Sequence, residues 1–456
     1  MAETAGTWAA RRPRLALAAF GRATFDLELA QAVLARSRAA LEALPCDLVA
    51  ASTLLTDPEA AGAFGAEAVA RGADAVVCQF TTFVDARFIA ALAEACPAPL
   101  LLWSLHEPGR PGERLSLNSL TGANLAGREL GQRRRYFRFV LGDPGEAAVG
   151  RRALGLARAA AAWHWMKGFG VLVVGDAPGG FYFCDPSPEA VAAAGLRLEK
   201  LPLDELFARA RAVDPADWQA AVGAVRTQVA GLDRLAPEQV EGFGRLQVAI
   251  EGAVAERGVQ AVAVRCWPEF FSDYGAAACS FVSALNERGV AAACEADVLG
   301  SLTMGLLGRL AGSPPYLGDL AAVESERDAA VFWHCGAGAF SLAHPATGAA
   351  AGVQPNRRIG FTLEFALRPG RVTIARLGER AGALRLLVGG GEALDVPQRF
   401  LGTAGVVRFD GEETVEARVT RLIEAGWEPH FGLVYGDVRE ELRDLAGVAG
   451  LPLEHA

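Results

Sequence analysis

The stretch AVVCQFTTFVDARFIAALAEACPAPLLLW, residues 75–103, decides the fold class. Ala75–Phe80 is a short β-like apolar run, Ala86–Ala95 has helical spacing, and Pro99–Trp103 is apolar again. Short apolar strands alternating with helices make βαβ units, and such units predict a parallel sheet covered on both faces. Upstream, the alternation continues backwards through strands at Leu15–Phe20 and Asp47–Ala51 and helices at Asp26–Leu44 and Ala60–Arg71. Downstream, a long Ala-rich helix over Pro144–Met166 leads through Gly168-Phe169-Gly170 to a new strand, Val171–Gly175. A second α/β stretch follows, with strands at Ala261–Cys266 and Ala291–Cys294 and helices at Gly275–Arg288 and Ser301–Leu310. Beyond residue 325 the texture changes to short β-rich segments at Phe361–Leu367, Arg371–Leu377, Leu384–Gly389, Thr403–Arg408 and Phe431–Tyr435. The Pro-Gly and Gly-rich turns between most of them suggest an antiparallel sheet or small barrel. The expected architecture is two doubly wound parallel-sheet domains, residues 1–168 and 169–325, followed by a β-rich, barrel-like domain, residues 326–456.

Composition agrees with large buried cores. The chain has 456 residues, 52% hydrophobic and 21% charged, which excludes disordered and fibrous classes. Its longest apolar runs fall short of the roughly 20 residues a bilayer span needs. A net charge of −9 disfavours nucleic acid as a partner. Arg11-Arg12-Pro13-Arg14 before Leu15–Phe20 has the look of a twin-arginine signal, but Arg22 follows too soon for a signal core of about 7–15 apolar residues. The segment is expected to be a polar lead-in to a buried strand. Eight cysteines without a C-x-x-C pair suggest buried free thiols in a reducing cytoplasm.

The chain carries no G-x-x-x-x-G-K-[ST] phosphate loop and no G-x-S-x-G elbow. Gly168-Phe169-Gly170 precedes its strand, where a dinucleotide loop must follow one. Arg133-Arg134-Arg135 is expected in a solvated connection. What remains is a dispersed set of polar residues. Glu269 follows an apolar strand between Trp267 and Phe270, and a carboxylate there needs a partner. Glu295 and Asp297 end a second strand, and His430 stands at the start of a third. Two carboxylates and an imidazole suit a hard or borderline divalent ion, Mn²⁺, Mg²⁺, Co²⁺ or Fe²⁺, rather than a thiolate-built zinc site. His334, in Phe332-Trp333-His334-Cys335-Gly336, is a further candidate.

The stretch CWPEFFSDYGAAACSFVSALNERGVAAACEADVLGSLTM, residues 266–304, resembles the L-fucose isomerase and L-arabinose isomerase superfamily. The words QFTTF, RLSLNSLTGANLAG, FWHCGAGAFSLA, LEFALRPGRVTIARL and PHFGLVYGDV extend the likeness in order along nearly the whole chain. The resemblance implies a metal-dependent, cytoplasmic aldose–ketose isomerase of carbohydrate metabolism that works through a cis-enediol. It implies Glu269, Asp297 and His430 as ligands of Mn²⁺ or a similar cation, with Glu269 and Asp297 also catalytic and Glu295 the rival for the second position. His334, Arg265 and Trp267 would contact the sugar. So would Gln79, Thr81, His106 and Asn118, on loops of the first domain that complete a neighbour's site. The implied assembly is a closed oligomer, a hexamer by family habit with trimer or dimer as alternatives. The substrate could be a deoxyhexose, a pentose or a sulfosugar. A second reading is a non-catalytic sugar-binding or regulatory protein, since two α/β lobes also build sugar receptors. It leaves the β-rich third and His430 without a task.

Overall fold

The computed structural model describes residues 8–109 and 112–456. The chain divides into two compact units. One is Arg11–His164 with Glu440–Gly450. The other is Trp165–Arg439 with Leu451–Ala456 and residues 8–10.

The first unit is built on five strands: β1 Arg14–Phe20, β2 Asp47–Ala50, β3 Ala75–Phe80, β4 Leu100–Ser104 and β5 Phe137–Leu141. They pair in parallel in the order β2-β1-β3-β4-β5. Alternate residues of the central strands face opposite layers, as the two-residue period requires. Leu15, Leu17, Ala19 and Val77 pack under helices Leu27–Glu42 and Ala147–Met166. Ala16, Ala18, Phe20, Val76 and Cys78 pack under helices Pro58–Ala70, Ala86–Ala95 and Ser119–Gln132. The alternation read from residues 75–103 is therefore a doubly wound sheet.

Helix Ser119–Gln132 is absent from the sequence reading for a physical reason. It carries glycines at 122, 127 and 131 and has weak intrinsic propensity. Its packing specifies it instead: a Cβ at Gly122 would stand 2.9 Å from the Phe80 ring. The last helix, Arg439–Ala449, lies within the segment expected as a C-terminal domain, yet residues 440–450 belong to the first unit. Buried Asp444 accepts the Tyr136 hydroxyl at 2.8 Å and pairs with Arg138 at 3.1 Å. Glu440 pairs with Arg152 at 2.7 Å.

The second unit contains a parallel sheet and a barrel. Strands β6 Gly170–Val174 and β7 Arg197–Leu201 come first, then the two-residue β8 Val229–Ala230, then β9 Ala261–Val264 and β10 Ala291–Cys294. The sheet order is β10-β9-β6-β7. The β-rich part supplies β11 Tyr316–Glu324, β12 Ala329–His334, β13 Ala349–Val353, β14 Phe361–Ala366, β15 Gly370–Arg380, β16 Ala383–Ala393, β17 Thr403–Phe409, β18 His430–Tyr435 and β19 Leu453–His455. Six of these, in the order β16-β15-β18-β11-β12-β17, close on themselves through β16–β17 pairing and are antiparallel throughout. Closure removes the open edges an antiparallel sheet would expose. β14, β13 and β8 extend from β17, and β19 pairs with β16. The segments expected as central and C-terminal domains thus share one compact unit.

Phe332 of β12 is buried and meets the rings of Phe409 and Phe431 at 6.1 and 6.0 Å. Phe332→Ala would leave a cavity between three barrel strands. It should lower the unfolding free energy by about 3–5 kcal/mol in denaturant titration. A loss under about 1 kcal/mol would mean that these rings do not pack as a common core.

Candidate active site

The site grows from sheet register and from strand ends. β11 pairs with β18 so that Asp319 lies opposite His430, and with β12 so that Asp319 also lies opposite Trp333. Residues facing each other on adjacent antiparallel strands have Cβ atoms about 5 Å apart, so this register alone brings the three together. His334 follows Trp333 on β12, and the two rings stack with centroids 6.4 Å apart.

The second contribution comes from the carboxyl ends of β9 and β10, where open α/β sheets place their working loops. Glu295 and Ala296 follow β10 with φ of 61° and 58°. Two successive non-glycine residues in the left-handed region are strained, and such strain collects at functional sites. This bend turns Glu295 toward a cavity and leaves Asp297 to cap the helix Val298–Ala311. Its Oδ1 accepts the Gly300 amide at 2.7 Å.

Asp297 is fully engaged. Besides the cap it receives both terminal nitrogens of Arg376, at 2.7 and 3.0 Å, and its Oδ2 lies 2.8 Å from His430 Nδ1. All three side chains are completely buried. Burial opposes the Asp297 charge, but Arg376 and His430 overcome it and hold the carboxyl well below its usual range. Burial likewise opposes protonation of His430, yet the hydrogen bond to Asp297 and the nearby carboxylate of Glu295 push its pKa up to about 10.

The far side of the imidazole faces two further carboxylates. His430 Nε2 stands 3.2 Å from Glu295 Oε2 and 3.5 Å from Asp319 Oδ1, but makes no hydrogen bond of good geometry. Glu295 also accepts the Trp267 indole N–H at 3.1 Å. Burial raises the Glu295 pKa, but His430, His334 and Trp267 outweigh it and keep the carboxylate ionised. Nearby, His334 Nδ1 accepts the Cys335 amide at 2.9 Å. A neutral His334 therefore carries its proton on Nε2, which is buried without a partner.

These groups line a cavity of about 290 Å³. Trp267, Phe271 and Trp333 form its apolar walls, and Glu295, Asp319, His334, Gln354, Asn356 and Arg357 supply polar groups. Aromatic walls with a few convergent polar side chains are the usual make-up of a small-ligand pocket.

The residues expected from sequence are distributed unevenly around it. Trp267, Glu295 and His334 line the cavity, with His430 behind them. Glu269 does not join His430. Its carboxylate makes two 2.8 Å hydrogen bonds with Arg265, four residues back in the loop after β9, and these hold its pKa below the usual range. The pair lines a separate surface depression with Asp176, Asp204 and Asp273.

Gln79, Thr81, His106 and Asn118 lie in the first unit at the ends of β3 and β4. Gln79 donates to Ser37 at 2.6 Å, Thr81 donates to the Phe20 carbonyl, and Asn118 accepts from Thr121 at 2.7 Å. His106 is exposed, 3.7 Å from Glu146. Among the described residues no three His, Cys, Asp or Glu side chains stand in a ready metal-holding group. The set nearest to one is Glu295, Asp319 and the unpartnered Nε2 of His430. Their oxygen and nitrogen donors suit the expected cation, whereas Asp297 has no free lone pair directed at the cavity.

Sequence reasoning missed Asp319, Arg376 and Arg357. Arg376 offered one signal: an arginine inside the apolar strand VTIARL must find a buried carboxylate.

Comparison with known proteins adds the chemistry. Over 402 residues the chain is 42% identical to the sulfoquinovose isomerase of Alkalicoccus urumqiensis, covering 88% of this chain and 90% of that one. The chain belongs to the sulfoquinovose isomerase family. The family's protein from Priestia aryabhattai is 39% identical over 433 residues, covering 94% and 96% of the two chains. That from Clostridium sp. (strain MSTE9) is 36% identical over 442 residues, covering 95% and 97%. No protein-family model matches the chain.

The two carboxylates in the expected ligand set should behave differently on mutation. Asp297→Ala leaves Arg376 and His430 buried without their partner and should cost about 3–5 kcal/mol of stability. Glu269→Gln breaks a partly exposed pair and should cost under about 1 kcal/mol. Because the Asp297 pKa is lowered on folding, its contribution is complete above about pH 4 and declines as the pH falls below that. Denaturant midpoints at neutral and acidic pH test both points. Equal losses for the two variants would contradict the buried triad.

Proposed function

We propose that this protein is an aldose–ketose isomerase whose substrate is a sulfosugar of the sulfoquinovose type. The observation that carries the reading is the convergence of Glu295, Asp319 and the His334 Nε2 donor on one aromatic-walled cavity, with His430 Nε2 directly behind the two carboxylates. Support comes from the 36–42% identity to sulfoquinovose isomerases.

Isomerisation of an aldose moves a proton from C2 to C1 and a second proton between the two oxygens. It needs a base beside both carbons and a donor for the enediolate oxygen. Glu295 accepts the C2 proton and returns it to C1. Its ionised state at neutral pH fits it to that task. His334 presents an N–H to the sugar oxygens. Asp297 acts through His430: it fixes the ring by Nδ1 and so aims Nε2 at the cavity.

We further propose that Glu295, Asp319 and His430 hold a divalent cation such as Mn²⁺, with Mg²⁺ or Co²⁺ as alternatives. Nε2 between two carboxylates favours this: a cation there would replace the proton that Glu295 and Asp319 otherwise hold on Nε2, while Nδ1 keeps its proton toward Asp297. Such an ion would polarise the sugar's O1 and O2 and stabilise negative charge on them. In this reading the ligand role expected for Asp297 passes to Glu295, and Glu269 has no part in the chemistry. The reading keeps the kinship with fucose and arabinose isomerases, a symmetric oligomer and a reducing cytoplasm. The eight free cysteines accord with the last of these. Among the described residues no helix is long and apolar enough to cross a membrane.

The purified protein incubated with sulfoquinovose and Mn²⁺ should form the corresponding ketose. Glu295→Gln should lower kcat by about 100-fold or more, and Asp319→Asn should weaken Mn²⁺ binding read by electron paramagnetic resonance. His334→Gln should reduce kcat/KM while Mn²⁺ binding stays unchanged. Full activity in Glu295→Gln, or lost Mn²⁺ binding in Glu269→Gln, would overturn these assignments.

A further inference from the structure

The carboxylates at the catalytic end of the cavity, Glu295 and Asp319, are taken up by His430 and, in the proposed reading, by the cation. A sulfonate carries a permanent negative charge, and a pocket that selects for it needs a cationic group of its own away from the reacting carbons. Among the described residues lining the cavity, Arg357 is the one lysine or arginine.

Most other arginines near the site are already committed. Arg376 is paired with Asp297, and Arg265 with Glu269. Arg357 has no carboxylate within ion-pair distance among the described residues, and its guanidinium makes no hydrogen bond to them.

Its backbone is nonetheless held firmly. Arg357 sits in the turn between β13 and β14. Buried Gln354 gathers that turn: its Oε1 accepts the amides of Asn356 and Arg357 at 2.9 and 2.5 Å, and its carbonyl accepts the Arg358 amide at 2.8 Å. At the other end Gly360 takes a φ of 80°, where a Cβ would lie 2.2 Å from the Ala277 amide nitrogen. The turn is therefore pinned on both sides, and a free guanidinium projects from a fixed base. Preorganisation of this kind reduces the entropy lost on binding. A guanidinium also offers a planar fork of N–H donors that matches two oxygens of a tetrahedral oxyanion.

We infer that Arg357, positioned by the Gln354 turn and assisted by Asn356, is the residue that selects sugars bearing a sulfonate. The inference rests on the proposed isomerase reading and deepens it. The sugar then lies with its reacting carbons toward Glu295 and its sulfonate toward Arg357, and the aromatic walls cover its faces. A neutral aldose would leave the guanidinium unmatched.

The test compares sulfoquinovose with the same sugar lacking the sulfonate, in wild type, Arg357→Gln and Arg357→Lys. The ratio of kcat/KM for the sulfosugar to that for the neutral sugar should fall about 10- to 100-fold in Arg357→Gln, chiefly through KM. Arg357→Lys should recover part of it. Calorimetric binding of sulfoquinovose should weaken by the same factor. An unchanged ratio with an active wild type overturns the Arg357 assignment and leaves the isomerase reading intact. A wild type that binds the sulfosugar without isomerising it overturns the isomerase reading, and Arg357 is then judged by binding alone. A wild type that does neither overturns both.

Discussion

The second unit depends on one carboxylate with no spare capacity. Asp297 caps a helix, neutralises an arginine inside the barrel and fixes a histidine on a third strand. Each of these would be costly to bury alone, because a desolvated charge needs both an opposite charge and hydrogen bonds. Together they satisfy most of one another's requirements. Arg376 belongs to β15, His430 to β18 and Asp297 to the helix after β10. The parallel sheet and the barrel are thus locked in one alignment, and the cavity forms where they meet.

That arrangement explains the division of labour in the site. Catalysis by a carboxylate requires a lone pair that can be lent to substrate and recovered. Asp297 cannot supply one, since each of its oxygens is already used. Glu295, two residues earlier, can. The left-handed bend at Glu295 and Ala296 separates a carboxylate committed to structure from one that faces the cavity within three positions of sequence. Arg357 joins Glu295 and Asp319 in the lining of the same cavity.

The fold was legible where one strand's own composition decided its state. Ala75–Phe80 and Leu15–Phe20 are buried on both faces and read as unbroken apolar runs. The barrel strands were legible because turns punctuate them. Helix Ser119–Gln132 was not, since its glycines conceal it and only contact with Phe80 explains them. Within the site, Glu295, Asp297, His334 and His430 stood out as polar residues at strand ends. Which carboxylate faced the cavity could not be read, because the answer lies in the φ angles of Glu295 and Ala296. Asp319 and Arg376 lie within strands, and their partners are set by register between segments far apart in sequence. The Arg265–Glu269 pair could not be read from its four-residue spacing, because the residues between them form a loop rather than a helical turn.

The return of residues 440–450 to the first unit has a consequence for biogenesis. The sheet of Arg11–His164 is synthesised before the helix bearing Asp444, with all of Trp165–Arg439 in between. Until then Tyr136 and Arg138 lack the buried carboxylate that completes their surroundings. The N-terminal unit can condense during translation but cannot mature, so its final closure waits on the synthesis of the whole barrel. A chain that stops short of residue 440 would leave an unfinished surface on its oldest part, offering quality-control machinery a mark of incomplete synthesis.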